Sequence, residues 1–344
     1  MYDGKAPESV WRHSWWRRSA RRLWTSPYEQ GEEARRPLGL WLTDDSVVIA
    51  RFDRVQAFTA ATGVLLWTWR PPGGQIVRLV SADARDGVGV VLHHEDGGRD
   101  MKQVGLTSLA LSTGEVVRHR DQDKDPLGYL GTQVALGGGL LATAAEFWSE
   151  RPVLRALDPE TGGIRWEHRL TDPKVESADV IGAQPLVASL KPRGGGARPR
   201  LLVLGKDGTE AVTLRLPDGY GKFGEKIAVA GEVLAVELFP DEESDQDKGV
   251  RLGAYSISSG ELMWTWHAKG SAYAAPVVHR GWLLVVHLHG ERLSVLDPAD
   301  GRVVATRRIP GYAFDPFLAV SGDLITVSCT SFGDTHRLRT FRWR

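Results

Sequence analysis

Few residues in this 344-residue chain are suited to chemistry: His93 and His94 in VVLHHED, His287 and His289 in VVHLHGE, Glu146 in AAEFWSE, Glu237 in AVELFPD, and one cysteine, Cys329. His287 and His289 stand two apart, so on a strand both would face one side, as two ligands of a metal must. No Asp, Glu or further His follows at a fixed spacing to complete the set, so hydrogen-bonded or solvated histidines are expected and no metal is. Glu146 and Glu237 occupy equivalent places near the ends of two apolar strands, from which carboxylates of different repeats can converge as an acid–base pair. With His93 and His289 they are the catalytic candidates, set against the plainer reading of charges solvated at strand exits. Cys329, in the apolar run LITVSCTS, reads as a buried inert thiol. As the only cysteine it leaves no partner for a disulfide within the chain and no multi-cysteine metal site.

The elements that must position these residues are repeats. VQAFTAATGVLLWTW (55–69), LTSLALSTGEVVRHR (106–120), LRALDPETGGIRWEH (154–168), LLVLGKDGTEAVTLR (201–215), LGAYSISSGELMWTW (252–266) and LSVLDPADGRVVATR (293–307) each read as an alternating strand, a tight Gly-ended turn and a second strand. The turn glycines, Gly63, Gly114, Gly162, Gly208, Gly260 and Gly301, supply the positive φ such turns need. Their spacing of 41 to 52 residues is that of four-stranded propeller blades. A more apolar strand pair precedes most copies, as in GLWLTDDSVVIAR (39–51) and KIAVAGEVLAVEL (226–238), and suits inner strands buried on both faces. A blade is therefore strands A and B, then C and D.

With the motif Asp-x-x-Thr-Gly and a Trp four residues after the Gly, as in ALDPETGGIRW, the chain resembles the pyrroloquinoline-quinone-like propeller repeat family over nearly all of residues 38–344. The resemblance implies that this Trp packs between neighbouring blades. Trp67, Trp166 and Trp264 match it; Arg118, Val212 and Ala305 do not, and docking there must use other contacts. The family includes exported quinone dehydrogenases, larger and dependent on calcium and a pair of adjacent cysteines, and lipid-anchored scaffolds of outer-membrane assembly. A single cysteine argues against the quinone, and no cofactor is expected.

Blade connectivity places A–B and C–D turns on one rim, where TDD, GGG, AGE and SGD are nearly minimal, and B–C and D–A loops on the other. The second rim carries the long polar loops 93–103, 191–200 and 239–249, and rigidly held loops are favoured places for function. Its D–A loops hold Tyr28, Tyr129, Tyr220, Tyr273 and Tyr312, five of the seven tyrosines. Tyr129, Tyr220, Tyr273, Tyr312 and Trp148 are the binding candidates, since such rings offer rigid area with a polar tip; structural wedging between blades is the competing role. RGGGAR (193–198) lacks the Gly-Lys-Ser/Thr and helix of a phosphate loop.

Lysine plus arginine number 43 and aspartate plus glutamate 43, so no chain-wide field favours nucleic acid or an anionic membrane. No stretch approaches the roughly 18 apolar residues of a membrane span, and residues 1–40 contain no apolar leader, so a cytoplasmic location is expected. The exception in charge is WRHSWWRRSARRLW (11–24), which has the composition of a nucleic-acid arm. Yet RRLWTSP (21–27) echoes LLWTWRPP (65–72), where Trp67 is a strand-D residue. The C-terminal end supplies strands A, B and C of a seventh blade and no D, and an open ring would expose unpaired edges. Residues 20–26 are therefore expected to pair with 337–343 and close a seven-bladed, all-β propeller spanning 20–344. Residues 1–19 form an extension whose Trp11, Trp15 and Trp16 have no blade equivalent.

The function expected is that of a non-enzymatic, monomeric interaction scaffold or ligand-sensing module, binding a protein or small molecule at the long-loop rim, with no nucleic acid and no membrane. The alternative is an enzyme acting on a small molecule at the channel mouth, in specialised biosynthesis. Fold alone does not choose between them.

Overall fold

Alternating apolar residues, interrupted by Gly-ended turns, build seven four-stranded antiparallel sheets in the order A-B-C-D, a seven-bladed β-propeller. The computed structural model describes residues 21–26, 37–95, 104–122, 134–145, 152–194, 198–209, 211–241, 249–269, 274–287, 291–309, 314–331 and 335–343. Blades one to six span 39–69, 76–122, 134–169, 175–215, 220–269 and 277–308, and blade seven spans 314–342 together with Arg21–Thr25. Residues 35–223 form one compact unit, and 1–34 with 224–344 form another. All six turn glycines expected from the repeat take φ between 66° and 75°.

Strands B and C are the buried ones. In blade one every residue of Ser46–Ala50 is buried, whereas Leu65–Trp69 is exposed or half-buried throughout. Each apolar cluster spans two blades: Trp41, Val48 and Ala57 of blade one meet Val77, Val91 and Leu109 of blade two. Leu92 and Leu106 of blade two likewise meet Leu136, Leu141 and Leu157 of blade three. Blades five and six share Ala254, Trp264 and Leu283, and blades six and seven share Leu293, Ile325 and Phe341.

The N-terminal strand closes blade seven. Arg21–Thr25 pairs antiparallel with Thr335–Arg342, Trp24 opposite Thr340 and Arg22 opposite Phe341, and the Ser26 amide extends the ladder to the Leu338 carbonyl at 2.9 Å. The echo with blade one reaches the bulge: Trp67 faces Ala57 with an extra residue before it, and Trp24 faces Thr340 with an extra residue before it. Trp166 opposite Ala156 and Trp264 opposite Ala254 repeat the device. A bulge turns the strand locally, and the small partner leaves room for the indole. The bulge also occurs at Arg118 and Ala305, where the Trp is missing, but not at Val212.

Candidate functional site

Of the residues singled out from sequence, His93 is the most deeply placed, fully buried on strand B of blade two (Val88–His94). Gly105 stands opposite it, and a Cβ there would collide with its ring. His93 is the middle of a polar chain that crosses the sheet: its Nδ1 meets Gln75 Oε1, its Nε2 meets Thr107 Oγ1 at 2.8 Å, and Thr107 Oγ1 meets His119 Nδ1 at 2.8 Å. His119 Nε2 then reaches Asp121 Oδ1 at 3.1 Å. Burial, with a smaller contribution from the charge of His119, lowers the His93 pKa to about 4, so near neutrality its ring is uncharged. A neutral His93 donates from Nδ1 to Gln75 and accepts the Thr107 hydroxyl on Nε2. Thr107 Oγ1 in turn lies within hydrogen-bond reach of His119 Nδ1, which carries the chain on toward Asp121. The rings of His93 and His119 stack at 5.6 Å, and Trp69 of blade one meets His93 edge-on at 5.7 Å.

Blade six repeats the motif. His287 is buried, its Nε2 lies 2.9 Å from Ser294 Oγ, Trp266 meets it edge-on at 5.5 Å, and burial holds its pKa at about 4. Both histidines are hydrogen-bonded within their own sheets. Glu237 is buried on strand B of blade five (Val233–Pro240) against Gly224. It stands on a different blade from His93, and Tyr220 begins strand A of blade five, partly exposed. Glu146, His289, Tyr129, Tyr273, Tyr312, Trp148 and the Trp11, Trp15 and Trp16 cluster lie outside the described residues. Among the described residues no three His, Cys, Asp or Glu side chains converge as metal ligands.

A larger feature lies where the repeat departs from its pattern. At three seams the expected tryptophan docks on the next blade: Trp67 on Gly114, Trp166 on Gly208 and Trp264 on Gly301. Trp166 donates its indole N–H to the Lys206 carbonyl at 2.7 Å, and Trp264 donates to the Pro298 carbonyl at 2.8 Å. At the seam between blades two and three Arg118 holds the tryptophan place. Its Nη1 reaches Glu160 Oε2 at 3.2 Å, with both side chains at least half exposed. Beside it a cleft of about 520 Å³ remains open, with Val88, Val90, Ser108 and Val117 on the blade-two wall and Leu136, Leu140 and Pro159 on the blade-three wall.

The A–B connection of blade two enlarges this cleft. Ser81 to Gly87 is a hairpin extension whose tip, Asp86–Gly87, has φ of 52° and 75° and is closed by Arg85 and Val88, which exchange both backbone hydrogen bonds. It leans on blade three: the Ala82 amide donates to the Leu136 carbonyl at 2.8 Å and the Gly138 amide donates to Asp83 Oδ1 at 2.9 Å. Arg85 and Asp86 thereby join the rim of the cleft, opposite Asp158, Glu160 and Arg165. Burial opposes ionisation of Asp158, but hydrogen bonds from Arg165 and from the Thr161 and Glu160 amides outweigh it and hold the carboxyl below its usual range. The rim therefore carries fixed charges of both signs around an apolar floor, which is the character of a ligand pocket. It lies on the rim of short turns, not on the long-loop rim favoured from sequence.

The comparisons with known proteins concern the fold. The family model described as "Outer membrane protein assembly factor BamB" matches residues 183–311. Those residues carry the PQQ-like repeat. No curated protein matches the chain in sequence. Among solved structures it is similar to BamB from Moraxella catarrhalis, with 16% identity over 89% of this chain and 85% of that one and a TM-score of 0.43. It is also similar to the computationally designed Ika8 protein, with 13% identity, 90% and 84% coverage and a TM-score of 0.49. With a europium-containing methanol dehydrogenase the identity is 13%, the coverage 93% and 85%, and the TM-score 0.50. At 13% identity this last likeness is one of architecture.

Proposed function

We propose that this chain is a non-enzymatic binding propeller, an interaction scaffold whose partner seats in the cleft between blades two and three. The observation that carries this reading is the open seam at Arg118. Where sister seams are filled by an indole, this one keeps about 520 Å³ with charges at its rim, and Val117 at its lip is 60% exposed. Exposed apolar area beside a charged rim is the composition of recognition surfaces. The buried histidines support the same reading, because groups held neutral by burial and engaged by Thr107 and Ser294 are poorly matched to proton transfer near neutrality.

Site-specific photo-crosslinking tests it. A photoreactive side chain at Val117 is expected to capture a defined partner that the same group at Val303, an exposed valine on the outer strand of blade six, does not capture. Identical products from both positions, or none from Val117, would remove the cleft from consideration.

A further inference from the structure

We infer that the cleft between blades two and three is a tryptophan socket filled in trans, taking the indole of a tryptophan presented by a partner polypeptide. This rests on the reading of the cleft as the binding site and specifies what it binds.

The sister seams define what such a socket holds. Where Trp264 docks, the receiving turn is Asp-Pro-Ala-Asp-Gly (297–301), and its Pro298 carbonyl accepts the indole N–H at 2.8 Å. The turn facing Arg118 is Asp-Pro-Glu-Thr-Gly (158–162), with the same Asp, Pro and Gly at the same spacing and with Gly162 at φ 66°, close to the 71° of Gly301. Pro159 is the counterpart of Pro298, and it lines the cleft. The preceding strand is equally conserved in form: Arg118 faces Ser108 beside a bulge, as Trp264 faces Ala254 beside one. What differs is the side chain. Arg118 extends to Glu160 at the surface, and the open cleft lies beside it, lined by Arg118 itself, by Ser108 opposite it and by Pro159 of the receiving turn. Polypeptide, not a free small molecule, is the source that fits, because the lip continues into exposed Val116 and Val117, which offer apolar area to residues flanking the tryptophan.

The test uses the full chain with N-acetyl-tryptophanamide, its 1-methylindole analogue and N-acetyl-leucinamide, titrated by ligand-observed NMR. The tryptophanamide is expected to bind, with the methylated analogue about fivefold weaker for the loss of one hydrogen bond and the leucinamide weaker still. Arg118→Trp should supply the indole in cis and abolish binding. Should that variant fail to fold, Val90→Phe narrows the cleft from the blade-two wall and must weaken binding as well. Absence of tryptophanamide binding, equal binding of the methylated analogue, or wild-type binding by folded Arg118→Trp would overturn the assignment. If crosslinking from Val117 still captures a partner while the tryptophanamide does not bind, the cleft stands as the binding site and only the indole assignment falls.

Discussion

Two glycines of blade six separate backbone strain from tryptophan docking. Gly281, in the A–B turn, has φ 80° and nothing within 4 Å of where a Cβ would sit; Gly301, in the C–D turn, has φ 71° and would place that Cβ 2.6 Å from Cδ2 of Trp264. Alanine at either position must adopt a left-handed conformation, costing about 1 kcal/mol. At Gly301 the methyl group must also displace an indole that is 9% exposed and whose N–H is bonded to Pro298. Loss of that bond adds about 1 kcal/mol and forced repacking about 1–3 kcal/mol. Urea unfolding followed by fluorescence should therefore show Gly301→Ala about 2–4 kcal/mol less stable than Gly281→Ala. Trp264→Ala should be costly in the wild type and nearly free in the Gly301→Ala background, because both changes remove one contact. Equal losses for the two glycine variants, or strict additivity with Trp264→Ala, would refute docking as a source of stability.

The closing strand and the buried histidines give two further tests. Trp24 is 8% exposed in the strand that completes blade seven, and Trp24→Ala should cost about 3 kcal/mol or more in thermal or urea unfolding; a variant that melts with the wild type would mean that the clasp contributes little. His93 has a folded pKa of about 4 against an ordinary 6.5, so between these values the unfolded chain takes up a proton that the folded chain refuses. Stability should fall as the pH drops from about 6.5 to about 4 and level off below, by about 3 kcal/mol from this residue. His93→Gln should remove that share of the slope and leave the share of His287, whose pKa burial lowers alike, and unchanged acid sensitivity would assign it elsewhere.

The repeat was legible because six of the seven blades mark the C–D turn with a glycine and their second pair of strands with regular alternation. The closing strand was legible from one tripeptide, Leu-Trp-Thr, which occurs at 23–25 and again at 66–68. The His93 chain was not, since Gln75, His93, Thr107, His119 and Asp121 come from four consecutive stretches of chain and meet only through the register of blade two. The cleft was half legible. Arg118 at the tryptophan place was visible, but the extended turn 81–87 follows none of the short A–B turns that suggested a minimal rim. Attention to loop length also pointed to the opposite rim, whereas the opening comes from a missing side chain.

The seam between blades six and seven also lacks the tryptophan of the repeat. Ala305 stands at the tryptophan place there, and Trp343 packs on the cluster shared by the two blades, with the Arg307 guanidinium 5.6 Å from its ring centre. An indole from another position thus joins the packing of that seam. At Arg118 the described residues provide no such replacement, yet the seam holds on its inner side through Leu92, Leu106, Leu136 and Leu141 and through the Ala82 to Leu136 backbone bond. Stability in a ring of repeats is a sum over neighbouring interfaces, so one outer contact can be given up while the inner ones keep the blades together. On the proposed reading, an interface sealed within and open without would admit a partner's side chain while the inner contacts stay in place, and a site formed before its ligand arrives favours affinity.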